Sequence, residues 1–543
     1  MFKSNLLKVL KELELLDKIR GAVYLTAPLF GGIMKIDNLT LEEKVGQMLM
    51  FAFNGTTYNK QIDTFINEFK LGGVIYFKKN IENIHQTAFL NKQISEKASI
   101  PLFKAIDQEG GPVLRFTEEV TPLPGAMALA AANADIYEIC KRVGLDLKKI
   151  GFNMNFAPVG DINNNPLNPV INSRAYSDKA EIVENCVVQA FKGFQKAKLL
   201  STIKHFPGHG DTSVDSHVGL PVVDKSLEDI LELELKPFKK AFYEGIDGVM
   251  VSHMLYKQID NKYPSTLSRK IITNLLKDKL GFKGLIVTDS LTMGAIWKKY
   301  SIEEIIKLGI NAGNDILCFC GKALIEEQRE IVNTFIKLVN SNEISMDRIN
   351  ESVQKILNYK EKYIGYEKIN LTTLSNFVGK EEDVEFAKKI SLKSITKVMD
   401  NNLIPLKKED KVLLISPEIK IFSLVDNQPN KHFTINKLLN FDEIIINEAF
   451  NDYNHIQEII NNYDKIIMTT YNVIENDYQV RVFDCLDKEK TIVVSMRSPY
   501  DILHLHNVSS YLCLYEATLL SFESLVKLIY GEENFTGILP VNI

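Results

Sequence analysis

The segment Leu199-Leu-Ser-Thr-Ile-Lys-His-Phe-Pro-Gly-His-Gly-Asp-Thr-Ser-Val-Asp-Ser-His217 joins an apolar run to a polar stretch. The run Leu199–Ile203 is typical of a buried strand. Pro207 and Gly208 disfavour a regular helix after it, so we expect the polar stretch to be a loop. Because α/β enzymes present catalytic side chains on loops that follow buried strands, the segment indicates an enzyme of this class.

Three of the nine histidines of the chain lie in this segment. Asp215 and His217 are two residues apart, a spacing at which an extended segment or a turn points both side chains to one side. The Asp215 carboxylate then bonds one imidazole nitrogen and leaves the other free to move a proton, which predicts an acid/base pair. The alternative is a metal site on His205, His209 and Asp211, although a helical His pair is excluded by the proline and glycine.

Apolar runs that alternate with helical patterns extend outward from this segment. These runs, eight in all, are Met48–Phe53, Gly73–Phe77, Leu102–Ile106, Asn153–Ala157, Leu199–Lys204, Gly248–Ser252, Gly284–Thr288 and Asp315–Phe319. Helical patterns between them include Ile136–Ile150, Lys179–Lys196 and Leu227–Glu244, and Asn38-Leu-Thr40-Leu-Glu42 is typical of a capped helix start. The alternation predicts a parallel (β/α)8 barrel whose strands are buried on both faces.

Polar residues follow several of the predicted strands, at the end of the barrel where active sites form. They are Asp107 and Arg115 after strand three, Asp161 and Arg174 after strand four, Lys204 and His205 on strand five, His253 after strand six, and Asp289 after strand seven. Each has a structural alternative: Asp289 could cap a helix, Arg174 could pair with a surface carboxylate, and Asp161 could shape a turn. Their recurrence at successive strand ends favours a shared site.

A polar segment separates the predicted barrel from a second α/β pattern. We expect residues 1–33 to be an N-terminal extension, 34–362 the barrel, 363–385 a linker and 386–543 a smaller α/β domain with an open sheet. Its strand-like runs are Lys411–Ser416, Glu443–Ile446, Lys465–Thr470, Thr491–Ser495 and Tyr511–Tyr515. No G-x-G-x-x-G motif accompanies them, so nucleotide binding has no support.

The composition is that of a globular protein, with 45% hydrophobic and 24% charged residues. A net charge of −5 gives no basic footprint for nucleic acid. The apolar run 21–34 is too short to span a bilayer, and Glu12 and Glu14 precede it where a signal peptide would be basic. We therefore expect a cytoplasmic protein, with a secreted or cell-wall-associated one as the alternative. The cysteines are scattered without metal or disulfide spacing.

Several motifs give the sequence its resemblance to glycoside hydrolase family three, and within it to the β-N-acetylglucosaminidases. They are Asp107-Gln-Glu-Gly-Gly111 with Arg115, Ala157-Pro-Val-Gly-Asp161, Asn165-Pro-Leu-Asn-Pro169 through Arg174, Lys204-His-Phe-Pro-Gly-His-Gly210 with Asp215-Ser-His217, Val287-Thr-Asp-Ser290, and the C-terminal Gly531–Val541. The chain departs from the family pattern at Pro112, Leu114, Phe535 and Ile538, which touches only the local course of those segments.

The resemblance implies a role for each matched residue. Asp289 is the expected nucleophile, His217 the acid/base and Asp215 its orienting partner. The residues expected to hold the sugar are Asp107, Arg115, Arg174, Lys204 and His205. A nucleophilic carboxylate opposite a proton donor is what a retaining glycosidase requires, and neither a metal nor an organic cofactor is needed.

The function implied is that of an exo-acting β-N-acetylglucosaminidase that removes terminal GlcNAc from peptidoglycan-derived muropeptides in cell-wall turnover or recycling. The alternatives are a β-glucosidase or other β-hexosidase of the same family, a GlcNAc phosphorylase, a non-catalytic sugar-binding protein, and a metallohydrolase on His205, His209 and Asp211. Relatives of the β-glucosidase type usually take a carboxylate from the second domain, whereas this sequence carries the Asp215–His217 pair.

Overall fold

A computed structural model describes residues 35–212, 219–321, 324–364, 369–419 and 435–543. The predicted extension 1–33 lies outside the described residues, and so do Asp215 and His217. The boundaries of the predicted linker, 363 and 385, stay a prediction.

The described part of the chain contains sixteen β-strands. In chain order they are β1 Leu49–Ala52, β2 Gly73–Tyr76, β3 Phe103–Ile106, β4 Met154–Asn155, β5 Leu200–Phe206, β6 Val222–Val223, β7 Gly248–Val251, β8 Leu255–Tyr256, β9 Leu285–Thr288, β10 Leu317–Phe319, β11 Thr396–Met399, β12 Val412–Pro417, β13 Asp442–Ile446, β14 Lys465–Thr470, β15 Thr491–Ser495 and β16 Ser510–Cys513.

The first domain is a parallel barrel built on eight of these strands in the order β10-β1-β2-β3-β4-β5-β7-β9. A parallel bridge between Val287 and Ile316 joins the two ends of the sheet. Seven of these strands lie within a predicted apolar run, and β5 overlaps the eighth run and extends two residues beyond its predicted end at Lys204, so the predicted barrel is confirmed. The strands are buried along their whole length, as expected where helices cover the outside and side chains fill the inside.

Helices connect the strands and cover the barrel. The α-helices are Leu41–Gln47, Lys60–Asn67, Ile84–Lys97, Ala126–Ala131, Ile136–Ile150, Ala180–Lys196, Leu227–Glu232, Lys236–Tyr243, Gly294–Trp297, Ile302–Ala312, Ile325–Asn340, Met346–Tyr363, Glu381–Ser394, Asn436–Leu439, Tyr453–Ile459, Tyr478–Asp484 and Leu519–Ile529, with a π-helix over Lys270–Lys279. Among the described residues, none of these helices is both long and apolar enough to cross a membrane.

Local sequence signals explain where several helices begin. Thr40 and Glu43 form a capping box, which confirms the predicted helix start at this point. The predicted helix Leu227–Glu244 is instead two helices. Pro237 lies in the first turn of the second one, the only part of a helix where its missing N–H costs nothing, so the chain starts a new helix there.

The second domain contains a sheet of six strands in the order β11-β16-β15-β14-β12-β13. Its strands are parallel apart from β11, which pairs antiparallel with β16. The sequence predicted the parallel strands but missed β11, because this short strand gains its partner from a segment more than a hundred residues later. The open α/β sheet is confirmed.

The two domains share a packed interface. From the barrel, Met127, Ala128 and Ala131 of the helix Ala126–Ala131 pack into the hydrophobic core of the second domain. The last residues of the chain return to the barrel, where the Ile538 amide donates to the Ala131 carbonyl at 3.0 Å. The second domain therefore sits against the loop that follows β3.

Candidate active site

A cavity of about 290 Å³ opens at the carboxyl end of the barrel strands. Its lining includes the six described residues that the family resemblance assigns to the site, namely Asp107, Arg115, Arg174, Lys204, His205 and Asp289. The lining residues that belong to the described ranges all lie between Ile75 and Gly321, in the barrel. The structure therefore brings the residues predicted from separate strand ends together around one cavity.

Asp107 is the first residue after β3, and its loop is folded by the residues beside it. Gln108 accepts hydrogen bonds from the backbone N–H groups of Arg115 at 2.8 Å and Phe116 at 3.2 Å. From β4, the Asn155 side chain accepts from the Gln108 N–H at 3.0 Å and donates to the Gln108 carbonyl at 3.1 Å. Buried amide side chains thus fix the direction in which Asp107 leaves the strand.

The Asp107 carboxylate contacts two cations of the site. Its Oδ2 lies 3.2 Å from Nη2 of Arg115, and its Oδ1 lies 2.9 Å from Nζ of Lys204. Both cationic side chains are almost fully buried. Charge-assisted hydrogen bonds of this kind hold the side chains in one geometry, which suits the directional recognition of sugar hydroxyls.

Glu109 contributes a second buried carboxylate to the same network. It accepts two hydrogen bonds at 2.9 Å from Nε and Nη2 of Arg174 and lies 2.5 Å from Nζ of Lys204. Burial alone would raise the pKa of Glu109, but the charges of Arg174 and Lys204 hold it well below its usual range. Glu109 is therefore an anion that joins cations from β5 and from the loop after β4.

His205 is oriented by a carboxylate beneath it. Its Nδ1 lies 2.7 Å from Oδ2 of the buried Asp161, and its Nε2 lies 3.4 Å from Nη2 of Arg174. A guanidinium only donates, so Nε2 accepts this hydrogen bond and Nδ1 carries the proton that is donated to Asp161. Burial would raise the pKa of Asp161, but the neighbouring His205 lowers it, which keeps Asp161 an anion.

Asp289 follows β9 directly and is half-buried at the cavity. Its backbone N–H donates to the Val251 carbonyl at 2.9 Å, and its Oδ1 accepts from the Ser290 N–H at 2.7 Å. His253, after the neighbouring strand β7, donates from Nε2 to the Ser290 carbonyl at 2.8 Å. The Asp289 carboxylate thus lies at the end of a strand, and the buried His253 holds the turn that follows it.

The residues just before the predicted acid/base pair are held at the cavity. Oγ1 of the buried Thr212 lies 2.8 Å from Nδ1 of His209, which lines the cavity. The Asn168 side chain donates to the carbonyls of His209 at 2.8 Å and Gly210 at 3.0 Å. The chain therefore reaches Thr212, five residues before His217, beside the cavity.

The residues of the metal-site alternative have other partners. Asp211 forms an ion pair with Lys225 at 2.9 Å, and the His209 backbone N–H donates to Asp161 at 2.7 Å. Burial, with the nearby His205, lowers the pKa of His209 to about 4, so this imidazole is neutral at physiological pH. Within the described ranges, no three His, Cys, Asp or Glu side chains are grouped to hold a metal ion.

No role was predicted for Glu109, whereas Asp161 was predicted either to belong to the shared site or to shape a turn. Both hold predicted sugar-binding residues by buried ion pairs or hydrogen bonds. A signal for Glu109 was present, because it is a second acidic residue two positions after Asp107 in a loop that ends at Arg115. The partner of Asp161, 44 positions away, is set by the barrel rather than by local sequence.

We expect Glu109→Gln to destabilise the protein by about 3 kcal/mol at neutral pH, because it leaves Arg174 and Lys204 buried with less compensating charge. The folded-state pKa of Glu109 is depressed, so its contribution is complete above about pH 4.3, the pKa of an unfolded glutamate, and shrinks as the pH falls below it. Urea unfolding at pH 7 and pH 3.5 measures both effects.

The matched control for this prediction is Glu118→Gln, an exposed glutamate on the same loop. Its unfolding free energy should stay within about 0.5 kcal/mol of the wild type. Equal stabilities for the Glu109→Gln and Glu118→Gln proteins at pH 7 would contradict the role given to the buried network.

Comparison with known proteins identifies the family of the chain. The model of the glycosyl hydrolase family 3 N-terminal domain matches residues 40–359. A β-hexosaminidase A of Pseudoalteromonas piscicida is 31% identical over 424 residues, which are 70% of this chain and 71% of that protein. A β-hexosaminidase of Neisseria meningitidis serogroup C (strain 053442) is 34% identical over 270 residues, 48% of this chain and 74% of the relative.

A solved structure extends the similarity to both domains. It is a glycoside hydrolase family 3 β-N-acetylglucosaminidase from Paenibacillus sp. str. FPU-7, with 36% sequence identity and a TM-score of 0.87. The alignment covers 93% of this chain and 99% of that one. The resemblance predicted from the motifs is confirmed, and this two-domain chain belongs to glycosyl hydrolase family 3.

Proposed function

We propose that this protein is a retaining exo-β-N-acetylglucosaminidase, with Asp289 as nucleophile and His217, oriented by Asp215, as acid/base. The observation that carries the proposal is the single cavity lined by Asp289 together with the buried ion-pair network of the predicted sugar-binding residues. The names of the relatives, which are β-hexosaminidases and a β-N-acetylglucosaminidase, support the substrate class.

The cavity suits one terminal sugar. Its volume of about 290 Å³ lies at the small end of the range for ligand pockets, which favours a single pyranose over a long internal chain. The charged groups of the network offer hydrogen-bond donors and acceptors in fixed directions, which suits the binding of sugar hydroxyls. A site of this size supports the proposed removal of one residue from a chain end.

The proposed chemistry has two steps. In the first, the Asp289 carboxylate attacks the anomeric carbon while His217 gives a proton to the departing oxygen, which yields a glycosyl-enzyme. In the second, neutral His217 takes a proton from a water molecule while the water oxygen attacks the same carbon and releases Asp289. Two displacements at one carbon leave the sugar in its original configuration.

The described residues before the acid/base pair support its role. Thr212, the last described residue before Asp215, lies beside His209 at the cavity. The described part of the cavity lining comes from the barrel, which favours a barrel acid/base over a carboxylate from the second domain. The β-glucosidase alternative is therefore the weaker one.

Phosphorolysis loses part of its physical basis in this site. The alternative rests on a neutral His217 that does not repel a phosphate dianion and on added positive potential from Lys204 and Arg174. Both cations form ion pairs with Glu109, and Lys204 also pairs with Asp107, so much of their charge is compensated. We therefore propose hydrolysis, with free GlcNAc as the product.

A substrate comparison tests the proposed function. We expect cleavage of a chromogenic β-GlcNAc glycoside with a kcat/KM at least about tenfold above that for the matching β-glucoside, since the site must recognise the acetamido group. A chelator should leave the rate unchanged, and millimolar phosphate should not divert the product to GlcNAc-1-phosphate. Preference for the β-glucoside, or loss of activity to the chelator, would contradict the proposal.

We further propose peptidoglycan-derived muropeptides as natural substrates, in cell-wall turnover or recycling in the cytoplasm. The support is the resemblance of the Lys204–His217 stretch to the β-N-acetylglucosaminidase branch of the family. Steady-state kinetics on GlcNAc-anhydroMurNAc and on chitobiose compare the two classes of aglycone. A higher kcat/KM on chitobiose would contradict the muropeptide assignment.

A further inference from the structure

One carboxyl group of the second domain reaches the sugar-binding loop of the barrel. Glu516 follows β16 by three residues, and its Oε2 accepts a hydrogen bond from the Gly125 N–H of the barrel at 2.5 Å. The side chain is only 2% exposed. The contact lies on the loop after β3, which also carries Asp107, Glu109 and Arg115.

The contact lies where the barrel loop is packed too tightly for a side chain at Gly111. Gly111 has a φ of +52°, and a Cβ on it would lie 2.7 Å from both the Cα of Gly125 and Oε2 of Glu516. Gly111 also donates from its N–H to the Leu123 carbonyl at 3.0 Å, which folds the two halves of the loop together. Glu516 thus contacts the loop at the place where the turn after Glu109 packs against the segment before Gly125.

Glu516 is itself held by its own domain. Thr518, which caps the helix Leu519–Ile529, donates from its hydroxyl to Oε1 of Glu516 at 2.9 Å. The Ser521 hydroxyl donates to the Glu516 carbonyl at 2.8 Å. Burial raises the pKa of Glu516 to about 7, so a carboxyl group at this position costs stability at neutral pH. Costly groups of this kind are expected where function requires them.

The second domain also contacts the loop that carries the partner of Glu109. Nδ2 of Asn172 lies 3.0 Å from Oγ of Ser498 in the second domain. Asn172 opens the 3-10 turn Asn172–Arg174, and Arg174 forms the bidentate pair with Glu109. Glu109 and Arg174, the two partners of this buried ion pair, therefore each lie two residues from a residue that the second domain contacts.

We propose that Glu516 is a positioning residue for the sugar site: it fixes the Gly111–Gly125 part of the loop and thereby the placement of Glu109, Arg174 and Lys204. The inference rests on the proposed function only in that it concerns the same cavity. It gives the second domain a role in catalysis without placing any of its groups on the substrate.

Steady-state kinetics of Glu516→Ala test the proposal, on whichever chromogenic β-hexoside the wild type cleaves. We expect KM to rise about tenfold or more with a smaller fall in kcat, because displaced binding groups weaken ground state and transition state alike. Glu516→Gln keeps an acceptor for the Gly125 N–H and should restore KM to within about threefold of the wild type. A purely structural role would lower the folded fraction, and so the apparent kcat, with KM unchanged.

The matched control is Asn542→Ala, which removes another contact between the end of the chain and the barrel, the 2.9 Å bond from Nδ2 to Asp178. Its KM should equal that of the wild type. A KM for Glu516→Ala within twofold of the wild type overturns the proposal.

If the alanine variant does not fold, Glu516→Asp replaces it. The aspartate side chain is one methylene shorter and does not reach Gly125, so an unchanged KM for this variant overturns the proposal equally. A preference for a sugar other than GlcNAc affects only the proposed function.

Discussion

Asp289→Ala should lower kcat by at least about 10⁴-fold, because no glycosyl-enzyme forms without the carboxylate and sugar binding alone does not break the bond. Asp289 is half-buried at the end of β9 and its backbone N–H bond to Val251 does not involve the side chain, so the barrel should stay folded. Stopped and steady-state assays on a chromogenic β-GlcNAc glycoside measure the loss, and circular dichroism checks the fold.

Chemical rescue sharpens this prediction. The alanine leaves space for a small anion, so azide should restore part of the turnover and give a glycosyl azide of the α configuration, opposite to the wild-type product. Retention of more than about 1% of the wild-type kcat by a folded Asp289→Ala protein would contradict the nucleophile assignment.

His217→Ala should cause a loss of about 10²–10⁴-fold on substrates with poor leaving groups, which is the range for general acid catalysis. A nitrophenolate leaves without much protonation, whereas a sugar alkoxide needs nearly a full proton. The loss should therefore be small for a 2,4-dinitrophenyl glycoside and should grow with the pKa of the leaving group. The measurement is kcat/KM across a series of aryl glycosides and one disaccharide.

Asp215→Asn should give a loss of kcat/KM that also grows with the pKa of the leaving group, but less steeply. The reason is that an amide does not stabilise the imidazolium of His217 as the proposed carboxylate does. His506→Ala removes an exposed histidine of the second domain and serves as the control for a histidine loss without a site role. A uniform loss across the leaving-group series for His217→Ala would show that another group donates the proton.

The barrel was predictable from sequence because its strands are short apolar runs at regular intervals, with amphipathic segments between them. Burial on both faces leaves no polar alternation to obscure the runs, and each barrel strand lies within a predicted run or, for β5, overlaps one. The gathering of Asp107, Lys204 and Asp289 at one cavity followed from this topology, since parallel strands bring their carboxyl ends to one side.

The pairing within the site was not predictable in the same way. Glu109 and Arg174 are 65 positions apart, and only the closed barrel brings them into a bidentate pair. The contact of Glu516 with Gly125 spans 391 positions and depends on how the second domain packs. Sequence patterns report local periodicity and motif spacing, whereas such contacts depend on the packing of whole domains.

The central claim, that Asp289 forms the covalent intermediate, is tested most directly by trapping. A fluorinated GlcNAc derivative with an activated leaving group should accumulate as a glycosyl-enzyme because fluorine slows its hydrolysis. Peptide mass spectrometry should then find one sugar on the peptide that contains Val287-Thr-Asp289-Ser290. A label on any other carboxylate, or no label in an enzyme that turns over the parent glycoside, would contradict the account.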